Sequence, residues 1–231
     1  MLLAGCATPD LPARTPIERA IAARGGPIRS VVRWVDADVR SGAPGTWQAR
    51  IVSMPPDRYA LSIVTTDELH HHIFDGTSAR SFIGNLLVGV EDSRAPLGTQ
   101  ARFEAVVLLD ALAHPNVPWR ALDRSEAPPE VATAVEVTPF ADGARYRLGF
   151  DDRARLVWAA GPLDFSPFGG GDVDLRLEDF RDAGGILFPF RWTYAAGGQT
   201  IVDIRVRAVC LNVPVAEGFA APADLPDCDQ S

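Results

Sequence analysis

Apolar and polar positions follow two different periods along this chain, and the change falls near residue 27. Thr15-Pro16-Ile17-Glu18 has the form of a helix start, with Thr as N-cap, Pro at the first helical position and Glu three residues after the cap. Ile17, Ala20 and Ile21 form one stripe, and Gly25-Gly26-Pro27 ends a helix that should run to about Arg24. Beyond it the period becomes 2, as in strands whose successive side chains point to opposite faces. In "TWQARIVS" Trp47, Ala49 and Ile51 share a face opposite Gln48 and Arg50, and in "RYALSIVT" Tyr59, Leu61 and Ile63 share one. "VDLRLEDF" sets Val173, Leu175 and Leu177 against Asp174, Arg176 and Glu178; "IVDIRVRAV" sets Val202, Ile204 and Val206 against Asp203, Arg205 and Arg207. "ILFPFRWTY" places Phe188, Phe190, Trp192 and Tyr194 together, with Pro189 marking an edge or a bulge.

Turn signals at Asp75-Gly76, Asp142-Gly143, Gly184-Gly185 and Gly197-Gly198 divide these runs into an antiparallel meander with short hairpins. One face is charged and wet; the other is apolar, rich in aromatics, and must be covered. The strongest cover is "TQARFEAVVLLDALAHP", residues 99–115, a helix of about four turns over 99–113 that is apolar over most of its circumference. It reads either as a core helix in the mouth of a curved sheet or as a lid over a hydrophobic cavity. The Pro-rich stretch that follows predicts a loop with one short helical turn, at or near the cavity mouth. Candidate lining residues are Trp34, Trp47, Tyr59, Leu108, Leu112, Phe188, Phe190 and Trp192, each of which would serve equally well as plain core.

A length of 231 residues with 47% apolar composition favours one domain with a sizeable core. The balance is acidic, with 22 Arg, no Lys, 30 acidic residues and a net charge of -8, and no basic run suggests nucleic acid as a partner. No stretch approaches the roughly 20 apolar residues of a membrane-spanning helix. Near the start, Leu3-Ala4-Gly5-Cys6 has the L-x-G-C form of a lipobox, without the charged and apolar regions of a whole signal peptide before it. Residues 1–5 then read as the remnant of a lipoprotein signal, 6–15 as a lipidated Cys6 with a Pro-rich tether, and 16–231 as one domain. Ala7 follows the cysteine, so no Asp retention signal stands there, which favours an outer-membrane lipoprotein facing the periplasm. With Cys6 taken by lipid, Cys210 and Cys228 remain as a pair that could staple the tail to the last strand; two free thiols are the alternative.

Candidate chemistry is sparse. His70 and His72 share a strand face with Asp75 nearby, yet no further cluster completes a metal site, and solvated histidines are the simpler reading. There is no G-x-S-x-G elbow, and Asp151-Asp152, Asp172 and Asp174 stand in turn or outward positions. No cofactor is expected. A metal-dependent hydrolase is a minor alternative, and a non-enzymatic protein is favoured.

The helix ending "ARGG", the strands around "PDRYAL", the run "HIFDGTSA", and above all "DFRDAGGILFPFRW" followed by "IRVRAVCLNVPVAEGFAAP" resemble the LolA/LolB-like lipoprotein carriers. Asn212, Pro214, Phe219 and Pro222 fill the closing positions of that pattern, and the resemblance spans about residues 16–222. It implies a mainly β (α+β) fold: a curved antiparallel sheet forming an unclosed barrel, its concave face covered by helices, with an apolar cavity between. It also implies a hydrophobic ligand such as the acyl chain of a lipid or lipoprotein, which shifts the reading of the 99–113 helix towards a lid. A ligand-free structural lipoprotein that binds an envelope partner is the alternative function on the same fold.

Overall fold

Helix α1 (Pro16–Ala23) begins where its sequence dictates. The Thr15 hydroxyl accepts the Glu18 N–H at 3.2 Å, and the Glu18 carboxylate accepts the Thr15 N–H at 2.8 Å. Two otherwise unpaired donors are thereby satisfied. Thr15→Ala is expected to lower stability by about 1 kcal/mol. Thr15→Ser should not, and urea denaturation of the two variants distinguishes them. Gly25, at φ +104°, stops the helix; a Cβ there would lie 2.2 Å from the Gly185 carbonyl oxygen, so the position also permits a close approach of two backbones.

The computed structural model describes residues 15–40, 44–64, 68–92, 96–164, 170–215 and 219–227. The lipobox, Cys6, the tether through residue 14, and Cys228 lie outside them. The strands are β1 (Val31–Val39), β2 (Gly45–Met54), β3 (Arg58–Val64), β4 (Leu69–Phe74), β5 (Ser78–Ile83) and β6 (Leu86–Asp92), then β7 (Trp119–Ala121), β8 (Thr133–Val137), β9 (Tyr146–Phe150), β10 (Leu156–Asp164), β11 (Gly170–Ala183), β12 (Ile186–Ala196) and β13 (Gln199–Leu211). They form one 13-stranded sheet in the order β6-β5-β4-β3-β2-β1-β13-β12-β11-β10-β9-β8-β7, every pairing antiparallel. The sheet is unclosed, with β6 and β7 as its edges. Helix α2 (Pro96–Val107) touches β2 to β5 on one side and β10 on the other, which requires the sheet to curl around it.

The inner face carries the alternating residues read from the sequence: Ala49 and Ile51, Tyr59, Val173, Leu175 and Leu177, Phe188, Trp192 and Tyr194, and Val202, Ile204 and Val206 join one buried cluster with α2. The predicted glycine turns all have positive φ at Gly76, Gly143, Gly184, Gly185, Gly197 and Gly198.

Three expectations are corrected. The cover helix spans 96–107 rather than 99–113: Leu109 turns left-handed at φ 66°, and a short 3-10 turn follows at Asp110–Leu112. Arg24 secures this break, donating to the Leu108 carbonyl and to the Asp110 carboxylate, which also accepts the Ile28 N–H at 2.8 Å. The outer face, next, is not simply wet. Val32, Val52, Ala60, Ile73 and Phe82 are buried there beneath Phe219 and Leu225 of the C-terminal tail. Finally, the later part of the Pro-rich stretch after α2 packs on the outer face, where Leu122 and Ala127 join Val131 and Trp158, while Val117 at its start packs against the inner cluster.

Candidate ligand-binding cavity

Between α2 and the inner face of β1 to β6 lies a cavity of about 300 Å³. This is at the lower end of the roughly 300–1,000 Å³ range of ligand pockets. Strand alternation supplies most of its wall: Val35, Ala37 and Val39 from β1, Trp47, Ala49 and Ile51 from β2, and Leu61 and Ile63 from β3. Leu97 and Phe103 of α2 face them, with Leu163, Val202 and Ile204 at the side. An apolar chain placed along this part of the wall would exchange water for hydrocarbon, at roughly 25 cal/mol per Å² buried.

The wall also carries polar groups that the apolar pattern hides. Arg33 occupies an inward position of β1 in register with Val31 and Val35, and is 1% exposed. Its guanidinium forms a salt bridge with Glu104 of α2, which is 5% exposed and also accepts the Ser53 hydroxyl at 3.3 Å. The ring of Trp192 lies 4.1 Å from the guanidinium, in cation–π geometry. Burial, the largest single influence, would lower the Arg33 pKa, but the Glu104 carboxylate together with Tyr194 and Tyr59 outweighs it and holds the value above normal. Tyr59 and Tyr194 also face this end; burial, reinforced by Glu104, raises both phenols and keeps them protonated. At the far end, across the cross-strand row Arg33, Ile51, Leu61, His72 and Ser81, His72 Nδ1 is 3.0 Å from the Ser81 hydroxyl, with Glu91 nearby.

Of the sequence candidates, Trp47 and Tyr59 line the cavity. Leu108, Phe188 and Trp192 instead surround a separate void of about 40 Å³ beside Arg24 and Ile28, and Leu112 is packed in the core. Phe190 stacks beneath Arg181 at 4.7 Å. Trp34 is on the outer face, since it alternates with Arg33 and Val35, and lies 5.7 Å from the Arg50 guanidinium. Sequence reasoning missed Arg33, Glu104, Gln100 and Leu97. A charged residue in an apolar strand register, and a second one inside an Ala/Val/Phe helix, were the signals available for the first two.

The histidine run separates by parity. His71 is buried on the outer face with Nδ1 2.8 Å from the Ser62 hydroxyl, whereas His70 and His72 point inward. Among the described residues no group of three or more His, Cys, Asp or Glu side chains is placed to hold a metal ion. Burial first, then neighbouring positive charge, depresses the pKa of His71 and His72; for His72, Glu91 opposes this. The unfolded chain therefore binds protons that these rings resist, so stability is full above the ordinary histidine pKa of about 6.5 and falls as pH drops through it. The urea midpoint should be lower at pH near 5.5 than near 7.5, and His71→Asn/His72→Asn should flatten that difference. An unchanged slope in the double variant would assign the effect to other groups.

These elements define a class by geometry: one open antiparallel sheet curled around a helix, with an apolar cavity between them. No family model matches the chain, and no curated protein matches it by sequence. Solved structures do. A LolA superfamily protein from Nitrosomonas europaea aligns with TM-score 0.58 at 12% identity, over 89% of this chain and 96% of that one. A putative outer membrane lipoprotein-sorting protein domain from Vibrio parahaemolyticus aligns with TM-score 0.56 at 9% identity, over 88% and 94%. A DUF1329 family protein from Desulfovibrio piger gives 0.58 at 10% identity, over 91% and 98%. The fold is thus LolA-like along nearly the whole domain.

Proposed function

We propose that this chain is a lipid-anchored, non-enzymatic protein of the bacterial envelope that binds an acyl chain or another hydrophobic ligand between the sheet and α2. Its place would be in lipid or lipoprotein traffic to the outer membrane. The observation that carries this reading is the cavity itself, apolar along β1 to β3 and covered by α2. The likeness to a protein described as lipoprotein-sorting supports it, as does the L-x-G-C sequence at Cys6. A Cys210–Cys228 disulfide belongs to the same reading: Cys210 packs against the outer-face cluster that contains Phe219 and Leu225, close in sequence to Cys228. The test is native mass spectrometry of the protein purified from bacterial envelopes without detergent. A bound lipid, together with a diacylglyceryl-sized mass increase on Cys6, is expected. A ligand-free protein that also fails to take up an apolar fluorescent probe would overturn the carrier reading.

One observation favours a second reading, an interaction protein. Edge strand β6 exposes Leu86, Leu87, Val88 and Val90, an apolar edge of the kind that marks a contact surface. Capture of a specific envelope protein by lipid-free material, abolished by Leu87→Asp/Val88→Asp, would support it.

A further inference from the structure

The cavity wall changes character at β4. On β1 to β3 it is largely apolar, but towards the β6 edge it continues through His72 of β4, Ser81 of β5 and Glu91 of β6. Strand pairing sets these three side by side. His72 stands directly opposite Ser81, and Glu91 stands opposite Ala79, two residues from Ser81 on the same inner face, a diagonal within reach of a long side chain. The β6 residue opposite Ser81 is Gly89, so that strand lays no side chain over the hydroxyl. A Cβ there would meet only the Ser81 Cβ, at 3.9 Å, and φ is not positive, so the backbone does not demand a glycine.

Hydrogen-bond acceptors gather around this gap. With the 3.0 Å contact to Ser81 made by the Nδ1–H of His72, the Nε2 lone pair is left to accept, and Ser81 Oγ keeps a second lone pair. The side-chain atoms that are both sealed and unpaired among the described residues sit on Arg33, Arg50 and Gln100; His72 Nε2 is unpaired but not sealed, and so opens onto the cavity. Glu91 is exposed and has no hydrogen bond or salt bridge among the described residues. Burial first, then His70, lowers the His72 pKa against the pull of Glu91, so the ring is neutral near pH 7.5 and the carboxylate sets the charge of the group. A fatty-acid anion would meet that carboxylate and has no hydrogen to give. A primary ammonium brings the opposite charge and N–H donors for Glu91, His72 Nε2 and Ser81 Oγ alike.

Resting on the acyl-binding reading above, we propose that the cavity takes a single-chain amphiphile with a primary ammonium head group, its hydrocarbon along Val35, Ala49 and Ile63 and its nitrogen between His72, Ser81 and Glu91. A long-chain amine and a lysophospholipid with an ethanolamine head group share this chemistry.

The test is displacement of N-phenyl-1-naphthylamine fluorescence from the full chain, near pH 7.5, by two pairs of lipids held below their micelle concentrations. Dodecylammonium is compared with dodecyltrimethylammonium, and lauroyl lysophosphatidylethanolamine with lauroyl lysophosphatidylcholine. Chain length and charge match within each pair, and the trimethyl partner lacks the N–H donors. The primary ammonium is expected to half-displace the probe at about one-tenth the concentration its partner needs, the equivalent of one charge-assisted hydrogen bond. Discrimination in one pair alone supports the site and names the source, amine or phospholipid. In Glu91→Gln, and in Gly89→Val, which fills the gap over Ser81 with a strand-compatible side chain, the preference should shrink by about threefold or more while the probe still binds. Equal binding within both pairs overturns the ammonium site while leaving acyl binding intact. A preference unchanged in both variants overturns the assigned contacts. Failure of the probe and all four lipids to bind overturns the carrier reading itself. The wild-type comparison stands even if a variant misfolds.

Discussion

Glu104→Leu is expected to lower the free energy of unfolding by about 3–5 kcal/mol, because it leaves the Arg33 guanidinium buried without its counter-charge. Arg33 already lacks partners at Nε and Nη1, so no neighbouring group is placed to replace the lost carboxylate. The double variant Arg33→Met/Glu104→Leu removes both charges and keeps the volume filled. It should recover the loss, ending at or above the parent stability. Urea denaturation of parent, single and double variants gives the answer. A single variant within about 1 kcal/mol of the parent would mean that water reaches Arg33 and that the cavity end is not desolvated.

The second large effect concerns the end of α2. Leu108 is 2% exposed and faces Phe188, Trp192 and Ile28 around the small void. Leu108→Asp forfeits a buried leucine, about 3–5 kcal/mol in truncation series, and adds the burial of a carboxyl group with no prepared partner. That sum exceeds half of a typical domain's total stability, so circular dichroism and limited proteolysis should report a largely unfolded chain. Retention of the native spectrum with weaker probe binding would instead make this segment a movable cover. The geometry favours the first outcome, because Arg24 and Asp110 tie the segment to the α1–β1 connection.

How far the sequence could be read depends on which rule governs each residue. Period-2 alternation identified inward residues such as Ala49, Leu61, Val173, Leu175 and Ile204 because a strand offers only two faces. Trp34 is misassigned by aromatic content, which puts it inward, whereas its parity, opposite to Val35, puts it outward as observed. Composition marks helix α2 but not its end: the break at Leu109 is held by Arg24, distant in sequence, which binds the Leu108 carbonyl and Asp110. The covering of the outer face was invisible for the same reason, since Phe219 and Leu225 sit in a tail without periodicity and find Val52 and Phe82 only in three dimensions. Within the cavity, the apolar wall followed from pattern. Its polar end required seeing that Arg33 and Glu104 break the pattern in two separate elements and meet.

The order of strands also says how the chain should assemble. Every pairing joins sequence neighbours except β1 with β13, which brings Val31 beside Leu211. Two runs of hairpins, β1–β6 and β7–β13, can each form through short-range contacts, but joining them requires closing nearly the full length of the domain, an entropic penalty met before the contacts reward it. Docking of these halves is therefore the expected rate-limiting event. Truncations across the seam, Val35→Ala and Val206→Ala, should slow refolding, whereas Val90→Ala at the β6 edge should chiefly leave the refolding rate unchanged. Until that seam closes there is no cavity at all, since its wall draws Val35 from the first strand and Ile204 from the last.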